Sequence, residues 1–460
     1  MAGLIALFDA NVLASMTATD LGREIAAGRI NPVELTEHFL DQIAAHPHAS
    51  RIFARTTPLR ARAEAMAARS RAKAGLRRGP LDGVPLSWKD LFDSAGVATE
   101  AGSALLRGRI PAKDAGVLAT ATAQGLVFLG KTHMSELAFS GLGLNPVTAT
   151  PPCIHDEAAV AGGSSSGAAA SVAWGLAPAA IGSDTGGSVR IPAAWNDLAG
   201  LKTTAGRVSM QGVVPLCPRF DTAGPLARSV EDCAQLLGVL EGCSPADLAG
   251  ASLSGTRLAV LETVALDDLR PRPAQGFDDA LARLAAAGAR VTRLAFPELT
   301  EAMALAGILF TAEAHGTWGA LIETAPQKMF PRILERFRAG AAFTAADYLR
   351  AWRRLHDIRA LWAATTAGLD AVALPTSAIL PPDANRLMVD DAYYVRENLL
   401  ALRNTRIANL LGLCALTLPT RQPSCGISLM AGAGQDARLL RLGAAAERAL
   451  AGPGHQAGAA

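Results

Sequence analysis

Among the six cysteines no pair is spaced CxxC, and among the eight histidines no pair is spaced HxxxH. Without those spacings there is no thiol or imidazole motif for a metal and no redox couple. No GK[ST] follows the glycine-serine stretches around Gly162 and Gly182, and Gly141-Leu142-Gly143 lacks the third glycine of a dinucleotide loop because Pro146 stands there. Phosphate-cradling loops are therefore set aside. Charge of one sign is not concentrated either: 43 basic and 41 acidic residues leave a net +2, which argues against nucleic acid or an anionic membrane as partner. The longest small-apolar run, Ala168 to Ile181, is too short and too rich in Ala and Gly to span a bilayer. The opening MAGLIALFDANVLAS has no Lys or Arg before its apolar stretch and is broken by Asp9, so it does not read as a signal peptide. These absences predict a cytoplasmic protein with reduced thiols, no metal and no cofactor.

What is present is a large apolar half, enough to cover a sheet with helices. The pattern predicts helices over 17–45, with Thr19 and Asn31-Pro32 as starts and Gly28 as a stop, and a basic helix over 60–78. Short apolar strands are expected at 86–89, 125–131, 254–261, 290–294, 370–375 and 415–418. Further helices are expected at 115–124, 132–137 (capped by Thr132), 229–240, 277–287, through most of 299–368, and at 436–450. Alternating helices and strands argue for an α/β sheet.

Two glycine-serine clusters need a reason, because they weaken any element that holds them. They are Gly162-Gly163-Ser164-Ser165-Ser166-Gly167 and Gly182-Ser183-Asp184-Thr185-Gly186-Gly187-Ser188, on either side of a buried-looking small-residue helix. Serine is the polar side chain that both repeat, which suggests a nucleophile site. Gly163-Ser164-Ser165-Ser166-Gly167 fits G-x-S-x-G, which would make Ser165 the nucleophile of an α/β-hydrolase-type esterase with His315 or His356 as base. Ser70-Arg71-Ala72-Lys73 fits S-x-x-K in form only, without its companion motifs. Lys89, in Val84-Pro85-Leu86-Ser87-Trp88-Lys89-Asp90, is set among apolar residues. Burial would lower its pKa toward that of a usable base; a salt bridge to Asp90 is the equal alternative.

Three motifs in order resemble the amidase signature family: Gly83-Val84-Pro85 with Lys89-Asp90, then Gly162 to Gly167, then Asp184-Thr185-Gly186-Gly187-Ser188-Val189-Arg190-Ile191-Pro192-Ala193. The likeness continues through Gly200-Leu201-Lys202 and Asp221 to Ser229 and covers residues 17–240 well. It implies Ser188 as nucleophile, Ser164 as bridging serine after a cis Gly163–Ser164 bond, and Lys89 as base, a serine-lysine counterpart of the His triad. It also implies an oxyanion hole of main-chain N–H groups from Thr185, Gly186, Gly187 and Ser188. Supporting roles fall to Gly163, Ser165, Ser166, Asp184 and Arg190, with Asp184 organising the loop and Arg190 anchoring it. His133 and Cys153 would be wall residues at most.

The implied fold is a single α/β/α sandwich over 1–460, with a large, mixed, mostly parallel sheet covered on both faces. Its parts are N-terminal helices (17–78), a signature core (79–240), pocket-shaping elements (241–450) and a loose tail (451–460). The implied activity is hydrolysis of a linear, non-peptide carboxamide to carboxylate and ammonia or amine, on a small-molecule amide, with a homodimer left open. The rival reading is the glutamine-hydrolysing A subunit of a tRNA-dependent amidotransferase, which would need a partner protein. Two departures bear on substrate: Trp195-Asn196-Asp197 replaces the family's Phe-Cys-Gly, and Thr203 replaces its proline. Phe310, Trp318, Met329, Phe330, Met388, Tyr393 and Tyr394 suggest an apolar or aryl acyl group.

Overall fold

A computed structural model of the chain describes residues 10–451. The tail expected after Ala451 and the first nine residues lie outside the described part. The first half contributes β1 (Phe53–Thr56), β2 (Pro85–Lys89), β3 (Val127–Thr132), β4 (Pro152–Cys153), β5 (Asp156–Val160), β6 (Ala179–Asp184), β7 (Ala199–Lys202) and β8 (Thr222–Ala227). The second contributes β9 (Arg257–Leu261), β10 (Arg290–Leu294), β11 (Ala371–Pro375), β12 (Cys414–Pro419) and β13 (Gly426–Ala431). All but β4 and β5 join one 11-stranded sheet, ordered β1-β3-β2-β6-β8-β7-β12-β13-β11-β9-β10.

The sheet is mixed and carries helices, as the α/β reading has it, but its balance differs from a mostly parallel one. Parallel pairing is confined to β3-β2-β6 and β11-β9-β10. Every other junction is antiparallel. The cause is local: β12 returns as β13 through a short turn, and β7 and β8 are likewise antiparallel neighbours. Such returns need no helical crossover.

Period-two alternation divides the strands between two layers. Ala180 and Leu226 pack under Ala168, Ala169 and Val172 of the Ser166–Ala173 helix, with Val189 and Ala193 alongside. Their strand neighbours Ile181, Ala199, Leu201, Ala223 and Ala227 belong instead to the main core, where the Val230–Glu241 and Asp436–Ala451 helices lie. The stretch from Ala168 to Ile181 is thus a short helix followed by the start of β6. Its small side chains let the helix sit close: a Cβ on Gly167 would fall 2.5 Å from the Ile52 carbonyl oxygen.

Several boundaries follow the expected chemistry. Asn31 accepts from the Val33 amide with Pro32 in the first turn, and Leu35, Phe39, Leu40 and Ile43 are buried on that helix. Two starts differ. Thr17, not Thr19, caps the Ala18–Ala26 helix; Thr19 is buried and bonds Asp232 through both its amide and its hydroxyl. Thr132 ends β3 rather than opening a helix, and only a 3-10 turn, Glu136–Ala138, follows. Among the described residues no helix is long and apolar enough to cross a membrane. All six cysteines are unpaired, and only Cys243 is exposed.

Candidate active site

The site forms at the carboxyl ends of β2 and β6, which pair in parallel through Ser87↔Ala180 and Trp88↔Ile181. Openings at the carboxyl ends of parallel strands are the usual place for a ligand in such sheets. Lys89 ends β2 and is fully buried. Its Nζ donates to Ser164 Oγ at 2.7 Å and to Ser183 Oγ at 2.8 Å. Burial pulls the amine down to about 7, against the opposing fields of Asp184 and Asp221.

Asp90 is not its partner. Strand alternation turns Asp90 away, to Arg55 at 2.9 Å and to Lys131 at 3.1 Å. Comparison with the other buried lysines separates the roles. Lys131 is held by Asp90, the Phe92 carbonyl and the Thr99 hydroxyl, and Lys202 donates to the carbonyls of Thr203 and Leu413; both are lowered to about 8 by burial. A carbonyl or carboxylate oxygen only accepts, whereas a hydroxyl accepts and also donates. Lys89 is the one of the three whose amine joins two hydroxyls.

Ser164 follows a cis peptide bond from Gly163. Gly163 is needed for closeness, since a Cβ there would lie 2.5 Å from the Gly143 nitrogen and 2.6 Å from Ser135 Oγ. Its amide donates to the Gly141 carbonyl at 2.8 Å, and the Ser164 carbonyl accepts from the Ser135 amide at 3.1 Å. Ser188 approaches through its backbone, whose carbonyl accepts from the Ser165 amide at 3.2 Å. Its hydroxyl makes no hydrogen bond to any described residue, so Lys89 and Ser164 are joined directly and Ser188 is tied to this cluster through its backbone.

The loop from Thr185 to Ser188 is braced from below. Asp184, fully buried, accepts from the amides of Gly187 (2.9 Å) and Val189 (3.2 Å), from Arg190 through Nε and Nη2 (both 3.0 Å), and from Asn409 Nδ2 (2.9 Å). Burial would raise this carboxyl, but Arg190, Lys202 and Asn409 together outweigh it and hold Asp184 at about 2. Thr185 donates to Asp221, and Thr405 Oγ1 donates to the Gly186 carbonyl at 2.8 Å. One correction follows. The Gly187 amide is committed to Asp184, so the donors left open are the amides of Thr185, Gly186 and Ser188, which bond no described residue. At φ +135°, Gly187 also has no room for a side chain: a Cβ would sit 2.0 Å from Thr405 Oγ1.

The remaining candidates are placed as follows. Ser165 Oγ donates to the Ser183 carbonyl at 3.2 Å and accepts the Ser183 amide at 3.3 Å. No histidine bonds it; His315 and His356 lie on the Glu298–Ile322 and Ala345–Thr366 helices, so the G-x-S-x-G esterase arrangement is not assembled. Ser166 Oγ reaches the His133 carbonyl at 3.5 Å, and Cys153 Sγ the Trp195 carbonyl at 3.3 Å. Met388 is exposed, and Tyr393 lies beneath Arg386 and Arg396. A surface cavity of about 570 Å³, lined by residues including Glu313, His315 and Tyr348, shares no residue with the lysine-serine cluster. Among the described residues no group of three His, Cys, Asp or Glu is placed to hold a metal. Sequence reasoning missed Ser183, Asp221, Thr405 and Asn409. The first two stood inside quoted motifs, but the last two are more than 200 residues from their partners.

A protein-family model described as Amidase matches residues 34–440. The chain is 35% identical over 457 residues to 2-amino-5-chloromuconic acid deaminase of Comamonas testosteroni, covering 96% of this chain and 98% of the relative. It is 32% identical over 473 residues to the A subunit of glutamyl-tRNA(Gln) amidotransferase from Chloroflexus aurantiacus, covering 94% and 96%. A solved structure described as an amidase superposes with a TM-score of 0.84 at 30% identity, over 94% of this chain and 99% of that one.

Proposed function

The chain belongs to the amidase signature family, and from that premise we propose that it hydrolyses a small-molecule carboxamide through an acyl-enzyme on Ser188. The observation that carries this reading is the 2.7 Å bond from the buried Lys89 amine to the Ser164 hydroxyl, with no carboxylate among the described residues hydrogen-bonded to Lys89. A serine hydroxyl is a weak nucleophile until a neighbour takes its proton. Ser188 Oγ attacks the amide carbon, its proton passes to Ser164 Oγ, and the Ser164 proton passes to neutral Lys89. The open amides of Thr185, Gly186 and Ser188 receive the oxyanion, each worth roughly 3 kcal/mol in the transition state. The lysine ammonium returns the proton through Ser164 to the departing nitrogen. Water then attacks the acyl ester under the same base, releasing the carboxylate and restoring Ser188. No metal or cofactor enters the scheme.

Incubation with an amide and hydroxylamine tests it. The expected result is a hydroxamate and an acyl-protein mass adduct that Ser188→Ala abolishes; undiminished turnover in that variant would refute the scheme. The similarity to the glutamyl-tRNA(Gln) amidotransferase chain favours a second reading, glutamine hydrolysis inside a complex. That reading requires a stable copurifying partner and ammonia release that depends on it, whereas the first requires activity of the chain alone on simple amides.

A further inference from the structure

Trp195-Asn196-Asp197, the departure from the family's Phe-Cys-Gly, closes the Arg190–Trp195 helix, whose other end follows Ser188 by way of Val189. Each of the three residues reaches across to the chain that delivers Ser164. That chain is the β4-β5 hairpin, which runs from Val160 straight into Ala161, Gly162, Gly163 and Ser164.

Asn196 makes the central tie. It is buried, and its Nδ2 donates to the carbonyls of Ala161 and Pro192, both at 2.8 Å. Its Oδ1 accepts the Ile154 amide at 3.1 Å. Two carbonyls on one side and an N–H on the other suit an amide side chain, which carries two donors and an acceptor. Pro192 belongs to the helix behind Ser188, Ile154 lies at the hairpin turn, and Ala161 comes just before the Gly162-Gly163-Ser164 run. One side chain thus spans both serine-bearing segments. Asn145 and Asn404 each hold two carbonyls as well, but neither leads directly to a reacting serine.

The flanking residues hold the same two segments together. A Cβ on Gly162 would lie 2.8 Å from the Trp195 ring and 2.9 Å from Pro192 Cα, so the helix rests directly on the glycine backbone. The Trp195 carbonyl accepts from Ser424 Oγ at 2.9 Å and from Cys153 Sγ of the hairpin at 3.3 Å. Asp197 takes a left-handed φ of +53°, a region that Asp enters more readily than most side chains. Its carboxylate accepts the Ser424 amide at 3.0 Å and meets His155 Nε2, at the hairpin turn, at 2.6 Å.

We propose that Asn196 is a positioning residue for the proton relay: by tying Ala161 to Pro192 it sets how Ser164 Oγ stands toward Ser188 Oγ. This rests on the amidase reading and adds the group that fixes the relay's geometry. A misplacement of about 1 Å at the reacting groups can cost about 100-fold in rate.

The test separates a damaged relay from general damage. Expelling an amine requires the proton that Ser164 passes on, whereas expelling p-nitrophenolate from an ester of the same acid does not. Asn196→Ala is expected to lower kcat/KM on the best amide by about 100-fold, but on the p-nitrophenyl ester by about 10-fold or less. Loosened packing alone would lower both alike. Asn196→Ser keeps a donor for one of the two carbonyls and should lower the amide-to-ester ratio by about threefold or more. If Asn196→Ala does not fold, Asn196→Ser decides by the same ratio. Equal losses on amide and ester, no loss on either, or failure of both variants to fold overturns the assignment and leaves the amidase reading standing. Absence of any acyl-enzyme in the wild type on every amide overturns the amidase reading itself.

Discussion

At the scale of single residues, the protonation of Lys89 governs both rate and stability. A base must be neutral to act, so kcat/KM is expected to fall below about pH 7 and to level off above it. Lys89→Met should cost about a thousandfold or more in kcat, and a wild-type profile that stays flat below about pH 7 would argue for another base. The stability sign is opposite to that of a typical ion pair. Between about 7 in the folded state and 10.5 unfolded, the unfolded chain holds the proton that the folded one has lost, so stability rises with pH across that window. The Tm of Lys89→Met relative to wild type should therefore be highest below about pH 7 and decline toward pH 10.5, measured by calorimetry in a pH series. Lys131 and Lys202 show why this residue could be narrowed but not settled from sequence. Each also lies at the end of a short apolar strand, and only the neighbours brought by folding tell the three apart. Lys89 meets two hydroxyls and no carbonyl or carboxylate, whereas Lys131 is held by a carboxylate, a carbonyl and one hydroxyl, and Lys202 by two carbonyls.

At the scale of elements, the turn after β6 is the working part, and its form depends on a helix distant in the chain. Gly187 combines a left-handed φ with a Cβ position 2.0 Å from Thr405 Oγ1. Gly187→Ala is expected to reduce kcat by at least about 100-fold while the protein stays folded. Adding Thr405→Gly, which removes both the Oγ1 and the Cβ 2.6 Å away, should restore little, because the backbone preference remains; full rescue would show that crowding alone was responsible. The glycine-serine clusters could be read as a site because glycine and serine in that density serve no core. Asn409 could not, because it looks like any polar residue on a long helix until it meets Asp184 across 225 positions. Strands escaped as well: β1, β6 and β13 were not expected, and β7 and β8 lie in a turn-rich stretch where Gly200 and Gly224 conceal their period.

At the scale of the whole molecule, the N-terminal helix is tied to the core by Thr19 and Asp232, an acid that burial raises to about 6 and whose Oδ2 has no partner. Between 3.8 and about 6 the folded state keeps a proton that the unfolded chain has released, so this tie weakens as pH rises through that range. Asp232→Asn keeps an acceptor for Thr19 and removes the charge. Its Tm should exceed that of wild type near about pH 8 and match it near about pH 4; the reverse order would show that the carboxylate itself stabilises the fold. The alternation of helices and strands, and the places of β9 to β12, followed from hydrophobic period, and the large mixed sheet from the family resemblance. The balance of parallel and antiparallel pairing did not, since that depends on which turns close into hairpins. The Asp391–Leu410 helix has a consequence for altering this protein. Asn409 and Thr405 brace the donor loop from one rod, so remodelling that rod to accept new molecules will also disturb turnover.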